Sequence, residues 1–324
     1  MYDYFMEKLI WQKFILGCGN LEGALSKGLG GVIFFTKDIH SEKQFVDLIK
    51  EIKSKSAIPP FLSIDQEGGR VERTENLRPR RVSARKAFDN GEIFLKVQAE
   101  EISEELSRWG INLNFAPCID VNTNVDNPII GERAFAENPC DVIKGMRLFV
   151  SASRKFGVIP CVKHYPGHGD ANKDSHLTLP KIDLSWDDMK QYHILPFEKA
   201  VKDNIEMIMV AHLHCTCFDT DVLPTSLSKN AIGYLRNKLN YRGVIITDDM
   251  VMKGVQQYGS LDAVIMSIRA GVDMFIFRDS DVSTLSMIKK LSDLVEKDDE
   301  LKNLVLQSHE RILFLKKKYG IIKK

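Results

Sequence analysis

The stretch GVIITDD at residues 243–249 decides the fold class. Four β-branched residues, Val244 to Thr247, are followed at once by Asp248 and Asp249. A short, continuous run of β-branched residues is typical of a parallel strand that is buried on both faces. The two aspartates mark the point where such a strand reaches solvent, so the stretch predicts an α/β protein with polar side chains at its strand ends.

Seven other short apolar runs repeat this pattern, and amphipathic helical patterns separate them. They cover residues 13–18, 31–35, 61–64, 111–117, 158–163, 207–212 and 274–277. Strands that alternate with helices predict a parallel α/β architecture, and eight is the number that closes a barrel. An open, doubly wound sheet is the alternative that the pattern leaves. Because no linker rich in glycine, proline or serine divides the chain, we expect residues 1–324 to form one domain that ends in helices.

The overall charge excludes several classes of partner. The chain has 324 residues with 45 basic and 44 acidic side chains, which is no footprint for nucleic acid or an anionic membrane. No apolar stretch is long enough to cross a bilayer, and the first residues lack the pattern of a signal peptide. Six scattered cysteines indicate neither a disulfide framework nor a zinc site. We therefore expect a cytoplasmic monomer without nucleic-acid or membrane partners, whose basic run 316–318 forms a solvated helix end.

Ionisable residues follow five of the eight predicted strands. They occupy residues 65–73, 117–122, 163–170, 212–214 and 248–249. The C-terminal ends of parallel strands share one face of the fold, and active sites of this architecture are built there. One polar loop of this kind would be ordinary, but five on the same face predict the rim of an active site.

Two features of this face fit glycoside cleavage, which needs an acid for the leaving oxygen and, in retaining enzymes, a nucleophile about 5 Å away. A buried strand would hold Asp248 rigidly, while strand alternation turns Asp249 elsewhere. In the glycine-rich segment 165–178, Asp174 precedes His176 by two residues and can orient the imidazole and raise its proton affinity. The alternatives are that Asp248 caps a helix or pairs with an arginine, and that Asp174 and His176 only brace the loop.

The same loop region contains residues that could bind a metal. His164, His168, Asp170, Asp174 and His176 are potential ligands. Their spacings match no helix-borne ligand pair such as HExxH, and glycine-rich flexibility suits a moving loop better than a closed metal cage. We therefore expect that the protein needs no metal and no cofactor.

Six motifs, in order between about residues 30 and 280, resemble one known family. They are DQEGGRVER at 65–73, NFAP at 114–117 followed by Asp120, IGER at 130–133, KHYPGHGD at 163–170, DSH at 174–176 and GVIITDDM at 243–250. In this combination the chain resembles the bacterial β-N-acetylglucosaminidases (β-hexosaminidases) of glycoside hydrolase family 3. The resemblance implies a single (β/α)8 TIM-type barrel with its active site at the C-terminal ends of the strands.

The resemblance also implies an activity and a set of site residues. It implies a retaining exo-β-N-acetylglucosaminidase that removes terminal β-linked N-acetylglucosamine by double displacement through a covalent glycosyl–enzyme ester. The substrate would be a small carbohydrate or muropeptide, such as N-acetylglucosaminyl-1,6-anhydro-N-acetylmuramyl peptides in peptidoglycan recycling. The implied residues are Asp248 as nucleophile, His176 as acid/base with Asp174 as its partner, and Asp65, Arg73, Arg133, Lys163 and His164 as sugar-binding residues.

Two alternatives remain open, and one segment departs from the family. The alternatives are another family 3 β-glycosidase and a non-catalytic sugar-binding barrel, although a binding protein needs neither Asp248 nor the pair of Asp174 and His176. Residues 74–87 contain four arginines, at positions 78, 80, 81 and 85, where the family is generally more apolar. We interpret these arginines as a basic lip for an acidic leaving group.

Overall fold

Eight parallel strands form a closed barrel in the computed structural model, which describes residues 2–171 and 179–323. The strands of the described chain are β1 (Phe14–Gly17), β2 (Gly31–Phe34), β3 (Phe61–Ile64), β4 (Leu113–Asn114), β5 (Ile159–Tyr165), β6 (Lys181–Ile182), β7 (Met207–Val210), β8 (His214–Cys215), β9 (Val244–Asp249) and β10 (Met274–Phe277). The order around the barrel is β1-β10-β9-β7-β5-β4-β3-β2. This confirms the predicted (β/α)8 barrel and excludes the open sheet.

Helices surround the barrel and connect its strands. They are α1 (Tyr2–Trp11), α2 (Glu22–Ser26), α3 (Glu42–Lys55), α4 (Ala84–Asp89), α5 (Glu92–Trp109), α6 (Pro139–Lys155), α7 (Trp186–Asp188), α8 (Leu195–Lys202), α9 (Lys229–Gly233), α10 (Lys253–Gln256), α11 (Ser260–Ala270), α12 (Val282–Val295) and α13 (Asp299–Lys318). Short 3₁₀ or π turns add to these, among them the turn Gly131–Arg133. None of the helices in the described ranges is both long and apolar enough to cross a bilayer.

Local sequence signals set the ends of several helices. Ser41 and Ser228 precede α3 and α9, and each side-chain oxygen accepts a hydrogen bond from the backbone N–H three residues on. Gly157 follows α6 with φ of +70°, and Gly271 follows α11 with φ of +109°. Glycine adopts this left-handed conformation without the steric cost that a β-carbon would add, so both helices end there.

The core has two layers because strand residues alternate between the faces of the barrel wall. Ile15 and Ile33 belong to the cluster that fills the barrel interior. Their neighbours Phe14, Leu16 and Val32 belong to the larger cluster between the strands and the surrounding helices. A wall that is buried on both faces explains why the strands read as continuous apolar runs.

Helix α13 closes the N-terminal end of the barrel. Ile312 and Leu315 pack into the interior cluster, and the fully buried Lys316 places its Nζ atom 2.8 Å from both the Gln12 Oε1 and the Pro59 carbonyl oxygen. Burial lowers the pKa of Lys316 to about 7. The prediction of a solvated helix end is therefore wrong for this lysine. Its aliphatic chain packs in the protein interior, and the Gln12 and Pro59 oxygens accept the hydrogens of its amine. The opposite end of the barrel carries the cavity described below.

Strands β6 and β8 form a separate two-stranded parallel sheet beside the barrel mouth. Lys181 pairs with His214, and Ile182 pairs with Cys215. Each strand has two residues, which is too short for a hydrophobic pattern to reveal, and the sequence did not predict this sheet.

Candidate active site

A cavity of about 580 Å³ opens at the C-terminal ends of the strands. Six of the residues predicted for the site line it: Asp65, Arg73, Arg133, Lys163, His164 and Asp248. They come from the ends of β3, β5 and β9 and from the loops after β3 and β4, as the shared polar face of a parallel barrel predicts. Asp174 and His176, the predicted acid/base pair, lie outside the described residues.

A buried network of opposite charges forms one wall of the cavity. The Nζ atom of Lys163 lies 2.8 Å from Asp65 Oδ1 and 2.6 Å from Glu67 Oε1. Arg133 binds the same Glu67 through two hydrogen bonds, from Nε at 2.9 Å and from Nη2 at 2.8 Å. Glu67 therefore connects two of the predicted sugar-binding cations and fixes the direction of their remaining N–H groups.

Glu67 and Lys163 stay charged over the whole physiological pH range. Burial opposes the ionisation of Glu67, but Arg133 and Lys163 outweigh it and hold its pKa well below the usual value. Burial also opposes the charge on Lys163, but Asp65 and Glu67 outweigh it and raise the pKa of the amine above its usual value. The wall therefore offers preset cationic donors, which suit the oxygens of a sugar.

Asp120 organises the loop that follows β5. Its Oδ2 atom lies 2.7 Å from Nδ1 of the His164 ring, and its Oδ1 atom accepts the backbone N–H of His168 at 2.6 Å. Burial opposes ionisation, but the two histidines outweigh it and the pKa of Asp120 falls well below its usual value. Because an ionised carboxylate only accepts hydrogen bonds, the His164 hydrogen sits on Nδ1, and Nε2 lies 3.3 Å from Arg133 Nη2.

His168 presents a neutral ring to the cavity. Burial and the neighbouring His164 lower the pKa of its imidazole to about 4. Both ring nitrogens are buried and have no hydrogen-bond partner among the described residues. The neutral ring therefore has one donor and one acceptor that no described residue uses.

The two aspartates at the end of β9 occupy different environments. Asp248 Oδ1 accepts the backbone N–H of Asp249 at 2.8 Å, and burial is outweighed by His164, His212 and Lys163, so that the pKa of Asp248 is lowered. The Asp249 carboxylate is held at the end of β10, where Arg278 donates from its backbone N and from Nε, each at 3.2 Å. Burial raises the pKa of Asp249 to about 6. Asp249 also lines the cavity, but its carboxylate binds Arg278 at the end of β10. The prediction that strand alternation turns Asp249 elsewhere is therefore correct only in part.

His212 contacts the backbone of Asp248. This fully buried imidazole lies 2.7 Å from Ser226 Oγ through Nδ1 and 3.1 Å from the Asp248 carbonyl oxygen through Nε2. Burial lowers its pKa, which keeps the ring neutral at neutral pH. The backbone of the β9 end is thereby fixed to the loop after β7.

The arginine-rich segment does not form a basic lip. Arg78 and Arg81 both pair with Glu105, Arg80 pairs with Glu75, and Arg85 pairs with Glu137. None of the four arginines lines the cavity. The interpretation as a binding lip is therefore wrong, because Glu75 of the same segment and Glu105 and Glu137 from elsewhere in the fold neutralise the positive charge. Arg73 does reach the cavity, where its guanidinium lies 5.5 Å from the Phe35 ring centroid and 3.5 Å from Asp65 Oδ2.

Three residues that organise the site were given no role by the sequence analysis: Glu67, Asp120 and His212. Glu67 lies within a motif that follows a predicted strand, and Asp120 follows another such motif. Their partners are contributed by other strands and loops, however, and one sequence does not reveal such pairs.

One group of potential metal ligands exists within residues 2–171 and 179–323. Ligand atoms of the buried Cys118, Asp120 and His164 all lie within 4.8 Å of one another. The Cys118 thiol and the His164 ring each hydrogen-bond to Asp120 Oδ2, which explains their proximity without an ion. That the protein needs no metal stays a prediction.

The chain is similar in sequence and in fold to known proteins. Residues 22–315 match the profile of the glycosyl hydrolase family 3 N terminal domain. The chain is 35% identical over 269 residues to β-hexosaminidase A of Pseudoalteromonas piscicida, covering 76% of this chain and 45% of that protein. It is 30% identical over 274 residues to a β-hexosaminidase of Methylococcus capsulatus, covering 81% of this chain and 79% of that protein.

A solved structure agrees with the sequence match. The structure of a glycoside hydrolase family 3 β-N-acetylglucosaminidase from Paenibacillus sp. superposes with a TM-score of 0.91 at 28% identity, covering 97% of this chain and 62% of that one. The chain thus spans less than half of the Pseudoalteromonas relative and less than two thirds of the Paenibacillus protein. The chain belongs to glycosyl hydrolase family 3, and the resemblance of its motifs to that family is confirmed.

Proposed function

We propose that the chain is a retaining exo-β-N-acetylglucosaminidase. The observation that carries this proposal is Asp248, an ionised carboxylate at the end of a rigid barrel strand, in a cavity with a wall of paired cations. The relatives whose names state an activity are β-hexosaminidases. A carboxylate beside cationic donors is the arrangement that a covalent glycosidase needs for its nucleophile and its sugar contacts.

The proposed reaction has two displacements. A carboxylate oxygen of Asp248 bonds to the anomeric carbon while the glycosidic bond breaks, and protonated His176 gives its proton to the leaving oxygen. Neutral His176 then takes a proton from water, the water oxygen bonds to the anomeric carbon, and the ester to Asp248 breaks. Asp174 orients the imidazole and supports its positive charge.

The cavity wall supplies the proposed sugar contacts. Lys163 and Arg133 donate to sugar hydroxyls or to the acetamido oxygen, and Asp65 accepts from hydroxyls. His164 points its Nε2 side toward Arg133 and takes part in the same contacts. We assign Arg73, which lines the cavity beside Phe35, to the outer part of the substrate.

We further propose that the leaving group belongs to a peptidoglycan fragment, with 1,6-anhydro-N-acetylmuramyl peptides as substrates in cytoplasmic cell-wall recycling. The family relationship supports this assignment. The cavity supports it less directly, because Arg73 and Arg278 at its mouth are cations that could bind the carboxylate of such a leaving group.

The deciding experiment compares two matched substrates and two matched variants. The 4-nitrophenyl β-glycosides of N-acetylglucosamine and of glucose are assayed with wild type, Asp248→Ala and Asp249→Ala. The muropeptide is then assayed with the same three proteins. We expect turnover of the N-acetylglucosaminide and loss of several orders of magnitude in Asp248→Ala, because no ester forms. A preference for the glucoside would assign another family 3 β-glycosidase, and binding of sugar without any turnover would assign a sugar-binding protein.

The covalent ester gives an independent test. A 5-fluoro glycosyl inactivator with the N-acetylglucosamine configuration should label the peptide that contains residues 243–250, with the mass on Asp248. Labelling of Asp249 would overturn the assignment of the nucleophile.

A further inference from the structure

Two cysteine side chains lie in contact at the end of the small sheet beside the barrel mouth. Cys215 ends β8, and the Sγ atoms of Cys215 and Cys217 are 3.3 Å apart. A disulfide bond joins sulfurs at about 2 Å, so closure requires an approach of roughly 1.3 Å. A small movement of two side chains therefore separates the present dithiol from a bond.

The backbone around the pair is already fixed in a tight turn. The Phe218 N–H donates to the Cys215 carbonyl oxygen at 3.1 Å, which closes the turn over Thr216 and Cys217. Thr216 is held against the neighbouring strand, because its backbone N–H donates to the Ile182 carbonyl oxygen at 3.1 Å. The turn thus holds the two sulfurs on the same side before any bond forms.

The two thiols differ in access and in reactivity. Cys215 is 2% exposed, whereas Cys217 is partly exposed. The hydrogen bond between the two sulfurs lowers the pKa of Cys217, which favours its thiolate. Cys217 is therefore suited to attack a solvent-borne partner, and Cys215 is placed to resolve the product.

The other four cysteines lack this combination. Burial raises the pKa of the thiols of Cys118 and Cys161 well above the usual value, and it raises the pKa of Cys18 to about 11. Cys140 is exposed at the start of α6 and serves as a natural control for simple accessibility.

We propose that Cys215 and Cys217 are a reversible dithiol–disulfide site that low-molecular-weight disulfides of the glutathione class oxidise. The Cys217 thiolate bonds to one sulfur of the small disulfide and expels the other as a thiol. The Cys215 sulfur then attacks the Cys217 sulfur and expels the second small thiol, with one proton passing to each released thiolate. The protein loses two hydrogens and the small disulfide gains them, so the exchange balances.

The test uses the full chain in buffers of graded ratios of oxidised to reduced glutathione. After acid quenching and alkylation, tryptic digestion releases one peptide, residues 203–229, that contains both thiols. We expect both thiols of this peptide to become resistant to alkylation together. The oxidised peptide should weigh two hydrogens less than the unalkylated dithiol peptide, and a dithiol reductant should restore both thiols. Persistence of both free thiols at the most oxidising ratio, or a lasting glutathione adduct on Cys217 beside a free Cys215, would overturn the proposal.

Matched variants separate the pair from general thiol reactivity. Cys217→Ser and Cys215→Ser should each abolish the paired loss, and Cys140→Ser should leave it unchanged. Circular dichroism and the melting temperature check that each variant is folded, and the partly exposed Cys217 is the safer substitution. Loss of the Cys215 alkylation site in Cys217→Ser, at the same glutathione ratio that oxidises the wild type, would show that Cys215 reacts without its neighbour and contradict the proposal.

Discussion

Asp120 holds the His164 ring at 2.7 Å, between Asp120 Oδ2 and His164 Nδ1, and the carboxylate is completely buried. The pairing fixes a hydrogen of the imidazole on Nδ1 and directs Nε2 toward Arg133 Nη2. A ring that is otherwise free to rotate thus has one orientation at the cavity wall. We expect Asp120 to act through His164 as a positioning residue.

Asp120→Asn should weaken substrate binding. The neutral amide lacks the negative charge with which the carboxylate accepts the His164 N–H and the backbone N–H groups. A charge-assisted hydrogen bond of this kind contributes about 1.5–3 kcal/mol. We expect kcat/KM to fall about ten- to hundredfold, mainly through KM, because His164 is proposed to contact the sugar in the ground state as well as the transition state. Steady-state kinetics with the nitrophenyl N-acetylglucosaminide measure this split.

Asp126, which is exposed in the loop after β4 that also contains Asp120, provides the matched control. Asp126→Asn should leave both kinetic constants and the melting temperature unchanged. A fall in kcat alone for Asp120→Asn, or wild-type kinetics in that variant, would contradict the positioning role.

Glu67→Gln should destabilise the protein strongly. The substitution leaves Arg133 and Lys163 buried with one counter-charge fewer, and removal of one partner from a buried ion pair costs about 3–5 kcal/mol. Urea unfolding should show a lower midpoint with an unchanged slope.

The control for Glu67→Gln is Glu137→Gln at the surface. The Glu137 side chain is 68% exposed and lies 3.0 Å from Arg85, so we expect a change within about 1 kcal/mol. Equal midpoints for the two variants would show that the buried network adds nothing to stability.

The sequence predicts those parts of the molecule that depend on local patterns. All eight barrel strands are predicted, because a barrel wall that is buried on both faces needs continuous apolar runs. Six of the predicted site residues line one cavity, because the C-terminal ends of the strands share one face. The burial of Lys316 and the pairing of the arginines were not predictable. Nothing local distinguishes a buried lysine from its solvated neighbours, and the glutamates that neutralise Arg81 and Arg85 come from other elements.

Buried Lys316 should make stability depend on pH. Its pKa is about 7 in the folded chain and near 10.5 for an ordinary lysine, so the unfolded chain binds more protons between these values. Stability therefore rises with pH from about 7 to 10.5, and no slope arises below pH 7. The slope is at most about 1.4 kcal/mol per pH unit for one group.

Chemical unfolding of wild type and Lys316→Met across this pH range isolates the effect. Lys13 is also buried with its pKa lowered to about 7, and its contribution cancels in the difference between the two proteins. Wild type should gain stability relative to Lys316→Met as pH rises, whereas Lys317→Met at the exposed neighbouring position should follow wild type. A difference that stays constant with pH would mean that Lys316 keeps its proton in the folded chain.

His176→Ala should damage substrates in proportion to the basicity of their leaving groups. His176 is proposed to protonate the leaving oxygen, and a sugar leaving group needs that proton, while nitrophenolate leaves largely unaided. Turnover of the muropeptide should therefore fall far more than turnover of the nitrophenyl substrate, for which deglycosylation becomes limiting. Azide needs no base to attack the Asp248 ester, so it should restore nitrophenyl turnover and yield the β-glycosyl azide. Asp174→Asn should act in the same direction but more weakly, because it removes orientation and charge support and leaves the proton carrier. Equal damage to both substrates, without azide rescue, would make His176 a binding residue and place the acid elsewhere.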